Sequence, residues 1–474
     1  MKTKILRKAF VSIFVFVGLA MLLAAGTHDG RGFVGVGNAL PATVLVVTNT
    51  NDSGPGSLRN ALAVANDGDT IDATGVSGTI LLTSGELQIT HNVTINGPGA
   101  ENLAVDGNAQ SRVFHINQGE TVTIDGVTVE NGDSGGGIFN DNAALTVSNC
   151  TVSSNNGAGI FNNATGLPGY ANASLKYAPN GSLGTLTMSN CTISGNRRGG
   201  VSNNSANSFA GLVVTNCTIN GNSADYGGGI SNTTGGTNGG CTATVSNTTL
   251  SDNSAAIAGG GIYNRSGGQT HVAASLSLMN CTLSGNSATG NGGGISNEGE
   301  LGPAWLNVSN STVNGNSATG NGGGMYNDGE IAELELDGTI LNAGSPGENI
   351  FNNAGTVTSL GYNVSSDNGG GFLTGPGDQI NTNPKLGPLQ DNGGPTFTHA
   401  LLPGSPAIDT GNPRFTPPPF FDQRGPGFDR VVNGRIDIGS FEVQGPVPTP
   451  TPTTTPTPRP SPTPRARPTP PPRS

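Results

Sequence analysis

The sequence predicts an all-β fold, a parallel β-helix built as a single solenoid, and three observations carry that prediction. A motif of the form N-C-T-[IVL]-S-x-N, with variants, recurs along the 474 residues and places Asn or Gly, and nothing else, at one bend: Asn92, Gly126, Asn149, Asn190, Asn216, Asn247, Asn280, Asn310, Gly338 and Gly361. These two residue types tolerate a left-handed backbone at low cost, so each repeat turns sharply there. A second motif, G-G-[IVM]-x-N, recurs at residues 136–140, 199–203, 228–232, 260–264, 293–297 and 323–327, with a near-copy at 157–162. The shortest complete period, Ile138 to Ile160, is 22 residues, which fits three short strands with their bends, one turn of a coil whose repeats pair with their neighbours.

The elements follow in order. Residues 1–42 form a leader: Lys2, Lys4, Arg7 and Lys8 precede an apolar run over 9–25, the layout of a secretory signal peptide with cuts after Ala25 or Ala42, an uncleaved anchor being the alternative. Residues 43–134 read as an N-terminal cap and the first rungs. Thr43 to Val47 alternates like a strand, and SLRNALAVAN (57–66) is a short amphipathic helix with Ser57 as N-cap, placed over the open end of the core. Residues 135–371 are the Gly/Asn-rich repeats, whose longer periods, such as Ile160 to Val201, reflect loop insertions. Val, Ile, Leu, Met and Cys point inward, while Thr151, Thr192, Thr218, Thr249, Thr282 and Thr312 form an outward ladder. Ten bends at about 4.8 Å per strand predict a stack roughly 50 Å long. Residues 372–444, with prolines, seven phenylalanines and returning charge, read as an irregular C-terminal cap, its phenylalanines on apolar surface and Arg424 or Arg435 paired with Asp409, Asp422, Asp437 or Glu442. Residues 445–474 are almost only Pro, Thr, Ser and Arg, a disordered Pro-rich tail.

Charged residues make up 11% of the chain and the net charge of −11 is scattered, so no basic stripe of the kind nucleic acid requires is present and nucleic acid is excluded as a partner. Cys150, Cys191, Cys217 and Cys281 share a repeat position with Val93, Val127, Thr248, Ser311, Thr339 and Tyr362. A position that accepts Val, Thr or Ser is a packing column, and in-register neighbours about 4.8 Å apart with parallel side chains do not suit a disulfide. Free thiols follow, including Cys241, which sits in a Gly-rich stretch read as an insertion.

The GGGIFN of residues 135–140, the GGGIYN of 259–264 and the CTISGN of 191–196 resemble the right-handed parallel β-helix domains of bacterial surface and secreted proteins, including the polymorphic outer-membrane protein type. The resemblance implies the fold and its right hand. The segment 383–442, with DNGGPTFTHALLPGSPAID, DQRG and DIGSFE, looks like the choice-of-anchor type module that precedes a variable C-terminal anchoring signal in exported bacterial proteins. It implies a destination at the cell surface or in the medium, although a Pro/Thr/Arg tail stands where a closing apolar helix or sorting motif is expected.

The repeats are poor in reactive groups. Glycoside hydrolysis needs two carboxylates across a cleft and a lyase needs a base with a charge-stabilising cation, but Asp133, Asp141, Asp225, Asp252, Glu298 and Glu300 are not paired at a recurring position. His28, His91, His115, His271 and His399 are dispersed and no metal-site spacing occurs. No catalytic, cofactor-binding or metal-binding residue is assigned and no cofactor is expected. Trp305, read as lying on an insertion, either stacks on a sugar ring or packs its own loop, Arg197 and Arg198 either meet an anionic glycan or solvate a bend, and the insertion over 164–185, with Tyr170, Lys176 and Tyr177, is the first candidate binding surface. The resulting expectation is a non-catalytic, adhesin-like surface or matrix protein, secreted or on the cell surface, with surface glycans or other surface proteins as partners and no membrane span once the leader is cleaved. The alternative is a polysaccharide lyase or hydrolase on the same scaffold.

Overall fold

A computed structural model of the chain describes residues 41–166, 183–269 and 272–445; Tyr170, Lys176, Tyr177, the leader and the tail lie outside them. Three sheets run the length of the coil, with twelve, eleven and ten strands among the described residues. The first runs from Val44–Val46 to Thr356–Gly361, the second from Gly78–Leu81 to Val364–Ser365, and the third from Leu87–Ile89 to Ile350–Asn352. Each winding adds one strand to each sheet, and neighbours pair in parallel, as when Ile138 meets Ile160 and Ile160 meets Val201. The insertion between Ile160–Thr165 and Leu183–Ser189 therefore leaves the register untouched.

Alternation sets the core. Along Ala144–Ser148, Leu145 and Val147 are buried while Thr146 and Ser148 are half-buried, and apolar side chains from all three sheets meet in one continuous core that reaches from Val47 to Leu373. Its N-terminal end is closed by a helix, α1 (Leu58–Val64), whose N-cap Ser57 accepts a hydrogen bond from the Asn60 N–H at 3.1 Å and whose Leu58, Ala61 and Leu62 are buried. The strand Val44–Val46, inside the region read as cap and first rungs, is the first strand of the first sheet and pairs with Asp69–Asp72.

The bend column holds for Gly126, Asn149, Asn190, Asn216, Asn247, Asn280, Asn310 and Gly338, whose φ values run from 46° to 66°. Its two ends need correction. Asn92 precedes Val93–Asn96, a strand of the first sheet in register with Val122–Asp125, so the counterpart of Gly126 in that winding is Gly97, which does not take a positive φ, and Val93 is not in the cysteine column. At the other end a bulge opposite Leu336 and Asp337 shifts the register by one, so Tyr362, at φ 55°, turns opposite Gly338, and Asn363 takes the place beside Thr339.

Two ladders hold the windings together. The Asn that ends each G-G-[IVM]-x-N motif is stacked: Asn140, Asn162, Asn203, Asn232, Asn264, Asn297, Asn327 and Asn352 pass side-chain hydrogen bonds of 2.7–2.8 Å down the coil. A second ladder joins Asn155, Asn196, Asn222, Asn253, Asn286 and Asn316 at 2.8–3.0 Å. All but Asn352 are fully buried. Buried amides are tolerated because each finds its donors and acceptors on the adjacent winding.

All five cysteines are free and buried, as expected. Cys241 corrects the sequence reading: it belongs to the strand Gly240–Ser246 and packs with Ala164, Ala210 and Ala274.

The C-terminal segment folds back on the later windings, as a cap does, but departs from expectation in what it covers. The open end of the core is met by Leu373 and Phe372, whereas the chain beyond runs back along the flank of the second sheet. There Gln423 bonds Thr249 and Thr282 at 2.8 and 2.6 Å, Ser440 bonds Thr312, and His399 meets Ser284 at 2.9 Å. Thr249, Thr282 and Thr312, read as outward and exposed, are consequently at most 1% exposed, while Thr192 stays open. Arg424 pairs with Asp422 at 2.6 Å, as expected, and is held between the rings of Phe428 and Phe441. Arg435 instead donates to the carbonyls of Thr410 and Gly411. Phe441 is buried, but Phe397 and Phe420 are 52% and 66% exposed, so the phenylalanines do not all cover apolar surface.

Candidate functional site

The outer face of the third sheet carries the densest chemistry. Its first outward position, the x of G-G-[IVM]-x-N, stacks His115, Phe139, Phe161, Ser202, Ser231, Tyr263, Ser296, Tyr326 and Phe351 in register. The second outward position holds Thr233, Arg265, Glu298 and Asp328 on successive strands. Two residues apart on one strand means the same face, so Tyr263 and Arg265 look outward together, as do Ser296 and Glu298 from the following winding, with Glu300 just past the strand's end.

These side chains line a groove of about 460 Å³ with Tyr226, Ser231, Thr233, Ile257 and Asn291, a size within the roughly 300–1,000 Å³ of small-ligand sites. Tyr226, 43% exposed, comes from the corner strand Ser223–Tyr226 and lies 4.9 Å, centre to centre, from the Tyr263 ring. The Tyr263 hydroxyl donates to Glu298 at 2.7 Å, Ser296 donates to the other Glu298 oxygen at 2.8 Å, and Arg265 pairs with Glu300. Burial, then the neighbouring Glu298 charge, pushes the Tyr263 phenol well above its ordinary range, so it donates and does not act as a base. Both carboxylates thus have a partner among this chain's own donors, Glu300 remaining 59% exposed, and the groove offers an exposed ring beside this polar network.

The candidates named from sequence fall in different places. Glu298 and Glu300 come together here; Asp225 lies on the Tyr226 corner strand, Asp141 stands in the second outward column of the same sheet several windings before the groove, and Asp133 and Asp252 lie elsewhere. Trp305 belongs to the strand Ala304–Ser309 of the first sheet, not to an insertion, and is 44% exposed between Ser275 and Glu333. Arg197 and Arg198 sit exposed at the corner before Val201–Ala206. Of the 164–185 insertion, the described ends continue the strands Ile160–Thr165 and Leu183–Ser189. His115 bonds Glu86 at 3.0 Å, His91 lies 3.6 Å from Asp67, and His399, its pKa lowered by burial, belongs to the C-terminal segment and faces the second sheet. His28 and His271 are outside the described residues. Among the described residues no helix is long and apolar enough to cross a membrane and no group of His, Cys, Asp and Glu is arranged to hold a metal. The pairing of Tyr226 with Tyr263 went unnoticed in the sequence, although Tyr263 is the x of one G-G-[IVM]-x-N motif and Tyr226 shortly precedes another.

Comparison with known proteins addresses the fold. None of the curated protein sequences matches the chain. The crystal structure of pectate lyase Pel9A is similar at 12% identity, covering 86% of this chain and 98% of that one, with a TM-score of 0.48. Residues 60–250 match the model of the right-handed β-helix region, and with the three parallel sheets described above the chain is a right-handed parallel β-helix.

Proposed function

We propose that the protein is a non-catalytic, exported, adhesin-like component of a cell surface or matrix, and that it binds glycans through the groove at Tyr226. The observation that carries this reading is the state of the groove's charges. Glu298 is held by two hydroxyls and Glu300 by Arg265, which leaves an aromatic face and polar rim suited to a saccharide ring without a free general base. The leader and the anchor-like module over 383–442 support export to the surface. The second reading, a polysaccharide lyase or hydrolase, draws on the same groove, since Arg265 beside two carboxylates is a set such enzymes use.

A glycan array probed with the full chain is expected to return bound saccharides, and Tyr226→Ala to weaken that binding at least tenfold. Incubation with acidic and neutral polysaccharides is expected to leave them intact. New reducing ends or unsaturated products would overturn the non-catalytic reading, and an array without binding would overturn the glycan reading.

A further inference from the structure

The aromatic positions of the third sheet form two stations, not one. At the N-terminal station Phe139 and Phe161 stack with ring centres 5.7 Å apart, His115 meets Phe139 edge-on at 5.2 Å, and the Arg112 guanidinium lies 4.4 Å over the Phe139 ring. Both phenylalanines are half-buried on the outer face, where an aromatic pair has no structural duty to the core. From Phe161 the register passes through Ser202 and Ser231 to Tyr263 of the groove already described. Three strand steps separate the stations, about 14 Å, and the two serines between them are small and half-exposed. The path is a shallow trough between two ring platforms.

One edge of that path is lined by guanidinium groups. Arg112, Arg197 and Arg198 all lie at the corner where the chain passes from the second sheet to the third, and Tyr226 occupies the same corner one winding after Arg198. Arg112 approaches Glu86 only to 3.6 Å, beyond hydrogen-bond length, and its Nε is buried without a partner. Arg197 and Arg198 use their backbone N–H groups on the previous winding, and their exposed side chains make no hydrogen bond among the described residues. The nearby acids are Glu86, bonded to His115, Asp133, which accepts from the Gly135 N–H, Asp141, which shares the outward face of the Phe139 strand and accepts from the Asn142 and Asn163 amides, and Asp225. Three guanidiniums with donors to spare beside a track of rings and hydroxyls match a ligand that repeats carboxylates along an extended chain of sugar rings.

We propose that the outer face of the third sheet is a linear binding track for an acidic polysaccharide lying along the coil axis, with the Phe139–Phe161 station as a second subsite reached from the Tyr226 groove. The proposal rests on the glycan reading of that groove and adds its ligand class and orientation. Two subsites on one rigid face raise affinity with chain length, because binding at the first station makes the second an intramolecular event.

The test uses the full chain and linear oligomers of galacturonate, mannuronate and glucuronate, from dimer to octamer, with their carboxyl-reduced counterparts, titrated calorimetrically. Affinity is expected to rise at least tenfold between dimers and oligomers long enough to span both stations, and carboxyl reduction to remove that rise. Arg112→Gln and Phe161→Ala are expected to abolish the gain with length while leaving dimer binding at the Tyr226 groove unchanged, which also certifies that the variants fold. Length-independent affinity, equal binding of reduced and acidic oligomers, or unaltered long-chain binding by both variants would overturn the track. If neutral saccharides bind in a Tyr226-dependent way and uronates do not, the track falls and the groove stands; if nothing binds, both fall.

Discussion

Asn216 shows what the bend column asks of a residue. It turns at φ 54° between the strand Phe209–Thr215 and the next sheet, a conformation that costs most side chains about 1–2 kcal/mol and β-branched ones more. Asn216→Gly is expected to stay within about 0.5 kcal/mol of the parent, whereas Asn216→Val should lose about 2 kcal/mol in denaturant titrations. The column was legible because only two residue types satisfy it. Its ends were not: Asn92 has the right neighbours in the wrong sheet, and Tyr362 turns where a bulge, invisible as spacing, moves the register by one. The groove was equally hidden, since Tyr226 and Tyr263 are separated by a whole winding and meet only through the stacking of corners.

At the scale of the element, the asparagine ladders explain why windings of such small residues hold their register. Asn232 accepts from Asn203 at 2.7 Å and donates to Asn264 at 2.7 Å and to the Ser275 carbonyl at 3.1 Å. Asn232→Ala breaks the line and leaves the Asn203 amide short of an acceptor in a dry interior. A loss of about 2–3 kcal/mol is expected, with hydrogen exchange quickening first in the strands Val201–Ala206 and Ile262–Ser266 on either side. Both motifs announced a constant Asn, and a bend residue could be told from a ladder residue only once the three faces were assigned. The cysteine column needed less: a position shared with Val, Thr and Ser already excluded a bridge, and burial pushes the Cys281 thiol up to about 12. Thiol reagents at neutral pH are therefore expected to modify Cys281 only after unfolding.

For the β-helix as a whole, the C-terminal segment is the main departure from what sequence alone conveyed. Its composition signalled a covering role, but not that the surface covered is the hydroxyl ladder of the second sheet, because Thr249, Thr282 and Thr312 read like their open counterparts Thr151, Thr192 and Thr218. Within it lie charges removed from water: Arg430 and Glu442 are fully buried 4.0 Å apart, with Asp437 beside them. Burial, then repulsion from Asp437, lifts the Glu442 carboxyl to about 8, against the pull of Arg430 and two backbone N–H groups. A carboxyl raised in the folded state favours folding while protonated, so this contribution is full below the unfolded value near 4.5 and is lost as pH climbs through about 8. Thermal unfolding followed from about pH 5 to 9 should show the segment loosening at the alkaline end, by about 2–4 kcal/mol, and Glu442→Gln should flatten the profile. Removing residues 372–445 should lower solubility and melting temperature together, because Ile340, Val364 and the three threonines would face water.

The contacts of that segment are individually polar and fall on three successive windings: Gln423 at Thr249 and Thr282, His399 at Ser284 and Asn314, Ser440 at Thr282 and Thr312, Arg430 at Asn310. Together they act as a ruler whose marks must coincide with one stretch of the coil. Duplicating a winding ahead of Thr218 adds height and leaves every mark aligned, while duplicating one between Thr282 and Thr312 slides half the marks by about 4.8 Å and breaks them. The coil can therefore grow or shrink on its N-terminal side without penalty to the clasp, and its length is free to vary only there.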